Sequence, residues 1–304
     1  MTGPVGARLA DGRLHLQHGP IDLIITTAGL ADHVAAAESA MQARFATVLD
    51  ELVRDLDTLR RPVEWGEAEG AGVLSEVGGR MARTTAALRD GDWATPMICV
   101  AGAVADTIAE AAWQAARLER VIVNNGGDIA IRHVPAGAAS AAGAPSTVTV
   151  GVVDRVDRPT LAGRLHLGAD SGIGGVATSG VGGRSLSLGI ADAVTVLAAD
   201  ATAADVVATL VANAVDLGEH PSISRRPAGE VRDDTDLGTR AVVTGVGPLT
   251  VEEVEAALDA GLDRAHQALA HPQIRAVVLS LRGRRRIVGA ADLGDLELSA
   301  GKEA

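Results

Sequence analysis

The stretch VIVNNGGD, residues 121–128, decides how the rest of the chain is read. An apolar run, Val121-Ile122-Val123, ends in two asparagines, two glycines and one aspartate. Gly126 and Gly127 admit φ > 0 and let a ligand approach bare backbone. Asn124, Asn125 and Asp128 add polar side chains at the same strand end. Such a strand end suits a polar, phosphorylated ligand. A tight turn of the kind common in α/β proteins accounts for it as well, and these residues alone leave the two readings level.

Upstream, residues 13–17 and 20–26 alternate polar with apolar around His18-Gly19, the pattern of a β-hairpin. From 31 to about 60, Met41, Phe45, Val48, Leu49, Leu52, Leu56 and Leu59 recur every three or four positions, and Pro62 follows. That spacing predicts a long amphipathic helix, with Asp50, Glu51, Asp55 and Asp57 on its wet face. Further helices are expected at 75–89, 97–118, 202–217 and 250–270. Strands are expected at 119–123, 128–132, 147–153, 163–168, 184–188, 192–197, 241–245, 275–281 and 285–289. The small-residue segment 135–146 reads as a surface loop, and 218–238, rich in charge, Gly and Pro, as a mobile connection or lid. Hairpins mixed with helices predict an α+β fold, a single domain over 1–304. The Ala-rich helix at 97–118 serves equally as core or as the face of a homo-oligomer.

The net charge of −12 argues against nucleic acid, which needs a basic face. The basic run Arg282–Arg286 reads as a solvated turn between strands. The lone Cys99 lies in an apolar stretch and behaves as a small hydrophobe, which fits a reducing compartment. MTGPVGARLADGR lacks the apolar region of a secretory signal, and Asp106 and Glu110 interrupt the best membrane-spanning candidate. The expectation is a cytoplasmic protein with no membrane partner. With no Tyr, one Phe and three Trp, the core is built from Ala, Val, Leu and Ile, and a planar ligand finds few rings to stack on.

Two further segments carry polar groups at useful spacing. Residues 168–183, GADSGIGGVATSGVGG, hold seven glycines with Ser171, Thr178 and Ser179 interleaved. They match neither the P-loop nor the dinucleotide fingerprint, but backbone N–H groups in such a loop form an anion nest; the plain alternative is a flexible loop. In TAADVVAT (202–209), Asp205 and Thr209 are four apart and share a helix face. A carboxylate with a hydroxyl suits Mg²⁺, although from this segment alone a helix N-terminal charge and a satisfied Thr are the readier explanation. The eight histidines show no metal-ligand spacing and no nucleophile elbow is present.

Taken in order, Pro96-Met97 with VAGAVAD (100–106), VNNGGDI (123–129), GVATSG (175–180), SLSLGIADAVTVLA (185–198) and AADVVAT (203–209) resemble the ApbE-like superfamily. Its characterised members are FAD-dependent protein flavinyltransferases. An uncharacterised-protein-family branch of it is more similar still, and the resemblance is strongest over 95–215. It implies that Asp205 and Thr209 hold Mg²⁺ beside the FAD pyrophosphate. It further implies that Asn125, Gly126, Gly127 and Asp128, with Thr178, Ser179 and Gly180, contact the cofactor. The implied chemistry is attack by a Thr hydroxyl of a protein acceptor on the FMN phosphate, with AMP leaving.

The chain departs from the transferases in two places. Ala101-Gly102-Ala103 stands where they carry Lys-Gly-Tyr, and Gly180 runs through Gly183-Arg184 into SLSLG without their His-containing loop. The sequence therefore supports a flavin nucleotide, or a related phosphorylated ligand, bound with Mg²⁺ and FMN transfer as the best-specified reaction. The alternatives are a catabolic enzyme in which Arg184 clamps an anionic small molecule, and a non-catalytic flavin or nucleotide carrier. Asp205 and Arg184 are the candidate catalytic residues.

Overall fold

Alternating burial along the N-terminal strands produces the expected hairpin. The computed structural model describes residues 3–63, 74–135, 147–155, 161–289 and 296–298. In it β1 (Val5–Arg8), β2 (Leu14–His18) and β3 (Ile21–Ala28) form a meander. Helix α1 (Ala31–Leu59) buries Met41, Phe45, Val48, Leu49, Leu52 and Leu59 on the stripe read from spacing. Helix α2 (Glu76–Leu88) is capped by Ser75, whose side chain accepts from the Gly78 N–H. Thr95 is extended, as a residue before proline prefers, so the chain enters a 3₁₀ turn at Pro96–Cys99 and continues as α3 (Val100–Ala115).

Strands β4 (Arg120–Asn125), β5 (Asp128–His133), β6 (Thr147–Val153), β7 (Leu161–Gly168), β8 (Gly175–Ser179) and β9 (Ala193–Ala198) lead to α4 (Ala201–Ala214). Then come β10 (Ile223–Pro227), the short α5 (Ala228–Val231), β11 (Ala241–Val246) and α6 (Val251–Leu269). The described chain closes with β12 (Ile274–Leu281), β13 (Arg284–Val288) and β14 (Leu296–Leu298). Nine strands make one sheet in the order β1-β2-β3-β4-β5-β8-β9-β12-β13, with every neighbouring pair antiparallel. Helices α3, α4 and α6 pack on this sheet, with α1 and α2 against them. The smaller sheet β14-β7-β6 covers part of the opposite face, where Ile131, Val148, Val150, Leu165, Leu167, Val176 and Leu197 form a second core. The fold is α+β, with antiparallel sheets and helices in layers.

Helix α3 is core: Gly102 through Ala109 are buried. Pro96–Ala115 has the length and composition to cross a membrane, yet it lies packed among α1, α2, α4, β4 and β5. The two helices α3 and α4 cross at Gly102, where a Cβ would collide with the Ala201 carbonyl.

Several expectations are corrected. Asp55, expected on the wet face of α1, is buried and accepts from the Ser75 N–H at 2.8 Å. The Gly-rich segment 168–183 is neither a flexible loop nor a nest throughout, because Gly175–Ser179 is an interior strand between β5 and β9. Its Gly175 abuts the backbone of Asp200 and Ala201, so this glycine serves close packing. Residues 184–188 form no strand. Their backbone is instead held by the Val243 N–H on the Ser187 carbonyl at 2.9 Å and by the Asn213 amide oxygen on the Leu188 N–H at 3.0 Å. Within 218–238, the expected loose connection contains β10, paired with β11, and α5. Of the Arg282–Arg286 run only Arg282-Gly283 is the turn, Arg284–Arg286 being the start of β13, and its arginines are tied: Arg284 and Arg286 to Glu255, Arg285 to Asp154, Arg282 to the Gly247 carbonyl. The expected loop at 135–146 falls almost wholly outside the described residues.

Because Gly102 leaves no room for a side chain against rigid backbone, Gly102→Ala is expected to cost about 1–3 kcal/mol of stability. Urea unfolding of the two proteins checks this; an unchanged midpoint would remove the crossing from the constraints on the fold.

Candidate functional site

The β4–β5 connection is a two-residue hairpin loop. Asn125 pairs with Asp128, and Gly126 and Gly127 between them have φ of 67° and 118°. Asn124 Oδ1 accepts from the Gly127 N–H at 2.9 Å. Asn125 Nδ2 donates to the Ala101 carbonyl at 3.1 Å and so ties the turn to the start of α3. The guanidinium of Arg184 lies over Gly126 where any side chain would stand. Turn and site are thus the same object.

Asp128 sits where the β5–β8 ladder ends. Pairing runs only through Ala130↔Gly175 and Ile129↔Val176. The Thr178 N–H turns instead to Asp128 Oδ1 at 3.4 Å. By strand alternation, Asp128, Ala130 and Arg132 face the helices. Burial pushes the Asp128 carboxyl up to about 7, against the opposing pull of the Thr178 N–H and the Arg184 charge.

Helix α4 brings the second acid. Its N-terminus is fastened twice: Asp200 accepts from the Ala203 N–H at 2.8 Å, and Asp106 of α3 accepts from Thr202 N–H at 2.8 Å and Ala201 N–H at 3.2 Å. Asp106 also takes the Thr202 hydroxyl at 2.7 Å and Arg132 Nη2 at 3.3 Å. One turn into α4, Asp205 Oδ2 accepts from the Gly102 N–H at 2.9 Å. Burial, then the charge of Asp128 and more weakly that of Asp106, raise its carboxyl well above the usual range. Asp200 is raised by burial and by Asp106. Thr209, a turn beyond Asp205, donates to the Ile98 carbonyl at 3.4 Å. Asp205 thus meets the first turn of α3 and Thr209 the 3₁₀ turn before it, both from one face of α4. Among the described residues no three His, Cys, Asp or Glu side chains form a metal cluster. A carboxylate and a hydroxyl are oxygen donors of the kind that hard cations take.

Two chambers open beside this corner. One, about 550 Å³, is walled by Ile21, Leu49, Leu52, Val53, Leu56 and Val104, with Asn125, Arg184 and Arg232 at its polar side. The other, about 370 Å³, is lined by Arg60, Trp93, Thr209, Asn213, Asp234 and Asp236. They share Pro20, Met97, Val100, Ser185 and Arg232. Among the described residues no aromatic ring lines the first, and in the second the Arg240 guanidinium stacks 3.6 Å over Trp93.

The other expected contacts are dispersed. Thr178 uses its side chain on the far face of the sheet, 2.9 Å from the Thr195 hydroxyl, and offers the site only its N–H. Ser179 falls on the helix side of β8, shown by Ala177 in the main core. Gly180 abuts the Asp192 carbonyl, 2.6 Å from where its Cβ would be. Sequence reading missed Asp106, whose signal was an acid inside an apolar helix, and Arg232, which carried no local signal.

A family model described as "AbpE bacteria" matches residues 6–287. The chain belongs to this family. A UPF0280 protein of Methanopyrus kandleri is 38% identical over 150 residues, 49% of this chain and 55% of the relative. The matched part thus spans little more than half of that curated relative's length. Among solved structures, the ApbE protein of Thermotoga maritima is 14% identical with a TM-score of 0.45, covering 93% of this chain and 96% of that one. The Pseudomonas stutzeri flavinyl transferase ApbE is 15% identical with a TM-score of 0.40, covering 94% and 93%. The Vibrio cholerae flavin transferase ApbE is 15% identical with a TM-score of 0.42, covering 93% and 96%. Within this AbpE-family chain, the motifs at 100–106, 123–129 and 203–209 meet at the corner between β5, α3 and α4, and 175–180 reaches it through the Thr178 N–H.

The raised Asp128 carboxyl has a consequence for stability. Between the ordinary value of 3.8 and about 7, the native state holds a proton the unfolded chain has lost. Its stabilising contribution is full below that range and disappears as pH rises through about 7. Asp128→Asn is therefore expected to melt higher than the parent at pH 8 in EDTA, with the difference shrinking as pH falls through about 7 and vanishing only below the ordinary value of 3.8. A pH-independent difference would place the carboxyl in the ordinary range.

Proposed function

We propose that this protein binds a flavin nucleotide, or a related phosphorylated ligand, with Mg²⁺, and that it transfers FMN from FAD to a hydroxyl of a protein acceptor. The observation that carries the reading is the pairing of opposite demands in one cleft. Two carboxylates, buried Asp205 and half-buried Asp128, are short of positive charge, while the Arg184 guanidinium stands over the Gly126 turn. A ligand carrying both phosphate and a divalent cation meets both demands. Membership of the AbpE family supports the same assignment.

In this reading Asp205 and Thr209 hold Mg²⁺ with waters and ligand phosphates completing its shell. The ion would neutralise charge building on the pyrophosphate. Arg184 contributes the positive charge that Ala101 does not, and the aliphatic chamber holds the apolar part of the ligand. Asp128, near neutral in its proton affinity, is the group suited to receive the acceptor's hydroxyl proton. The acceptor oxygen bonds to the FMN phosphorus, the bond to the AMP oxygen breaks, and AMP departs. A second reading, a small organic anion held by Arg184 and converted without flavin, draws support from the ring-free lining of the larger chamber.

Titration of the purified protein with FAD, following flavin fluorescence with Mg²⁺ and again with EDTA, tests the proposal. Binding is expected with Mg²⁺, weakened by about tenfold or more in EDTA and likewise in Asp205→Ala with Mg²⁺. Absence of FAD binding in both conditions would sink the flavin reading, and binding indifferent to Asp205→Ala would sink the metal assignment. AMP release in the presence of an acceptor separates transfer from storage.

A further inference from the structure

Arg184 and Arg232 are the two arginines among the described residues that line the aliphatic chamber. Neither forms an ion pair among the described residues, in a chain with a net charge of −12. Both are exposed and line the aliphatic chamber. The Arg184 guanidinium makes no hydrogen bond to the described residues; it rests over Gly126. Arg232 Nη2 donates to the Arg184 carbonyl at 2.9 Å, and the rest of its fork lines both chambers at their junction.

The attachment matters because Arg184 is carried by irregular backbone. Gly182 and Gly183 precede it, and no strand ladder holds it. Further along, Arg225 Nη1 donates to the Leu188 carbonyl at 2.5 Å and the Val243 N–H to the Ser187 carbonyl at 2.9 Å. The β10–β11 hairpin and the residues after α5 thus fix this segment from outside, and Arg232 fixes the residue that bears the unpaired charge. An exposed arginine without such a tie would lose more rotamer freedom on meeting an anion.

We propose that Arg184 and Arg232 form the anion receptor of this cleft. Arg184 meets the phosphate or carboxylate of the ligand directly, and Arg232 is a positioning residue that holds Arg184 through its carbonyl. The ligand class is an organic anion whose apolar body fills the aliphatic chamber. This deepens the reading given above and rests on it only for the identity of the body as flavin.

The test is calorimetric titration of the full chain in EDTA with FMN, riboflavin and inorganic pyrophosphate. The parent is expected to prefer FMN to riboflavin by about tenfold or more, and to bind pyrophosphate. Arg184→Ala should abolish the preference. Arg232→Ala should reduce it several-fold, and Arg232→Lys, which keeps one donor for the Arg184 carbonyl, should restore it. Full preference in Arg232→Ala would overturn the positioning role. A parent that binds neither FMN nor pyrophosphate would overturn the receptor. Arginine-dependent pyrophosphate binding without FMN binding would support the receptor and reject flavin as the body.

Discussion

The carboxylate of Asp106 is the point on which the helix layer depends. It is fully buried in α3 and accepts two N–H groups and a hydroxyl from the first turn of α4, with Arg132 of β5 as counter-charge. A buried charge survives only where hydrogen bonds replace water, and a helix N-terminus adds its own favourable potential. The bond network fixes three elements at once: α3, α4 and β5. Gly102 completes the arrangement by letting the two helices touch backbone to backbone.

The acidic corner follows from that crossing. With α4 fixed at its first turn, Asp205 falls one turn later against the Gly102 N–H. Asn125, bonded to the Ala101 carbonyl, sets the glycine turn beside the same end of α3. Asp128 then occupies the place where β5 and β8 part, with only a long hydrogen bond from Thr178. The corner is therefore polarised, with carboxylates beneath and the Arg184 guanidinium above. That polarity comes from the framework and is in place before any ligand arrives, which lowers the reorganisation that binding requires.

Much of this was legible in the chain. The stripe of α1 and the Asp205–Thr209 spacing each follow from a local period, and the turn at Gly126–Gly127 from its residue types. Those features of the structure match their expected positions within a few residues. Legibility failed where a local pattern had two uses. Gly175 looked like part of a pliable loop, yet its lack of a side chain serves contact with the backbone of α4's first residues. The alternation in 184–188 looked like a strand, yet Gly183 and Gly189 flank a segment whose carbonyls are claimed by Arg225, Arg232 and Val243. Thr178 stood in a promising motif, but alternation turned its hydroxyl to the other face.

The sequence by itself determined the five long helices, ten of the fourteen described strands, the α+β class and the family, because each rests on short-range periodicity or on motifs in fixed order. Tertiary structure alone decided that Asp106 serves as a cap for another helix, that Arg232 holds Arg184, and that the larger chamber is aliphatic. Those partners lie 95, 48 and more than 70 residues apart along the chain. Contacts of that separation leave no local pattern, since each residue's type is compatible with an ordinary role in its own element until the sheet brings the partner within reach.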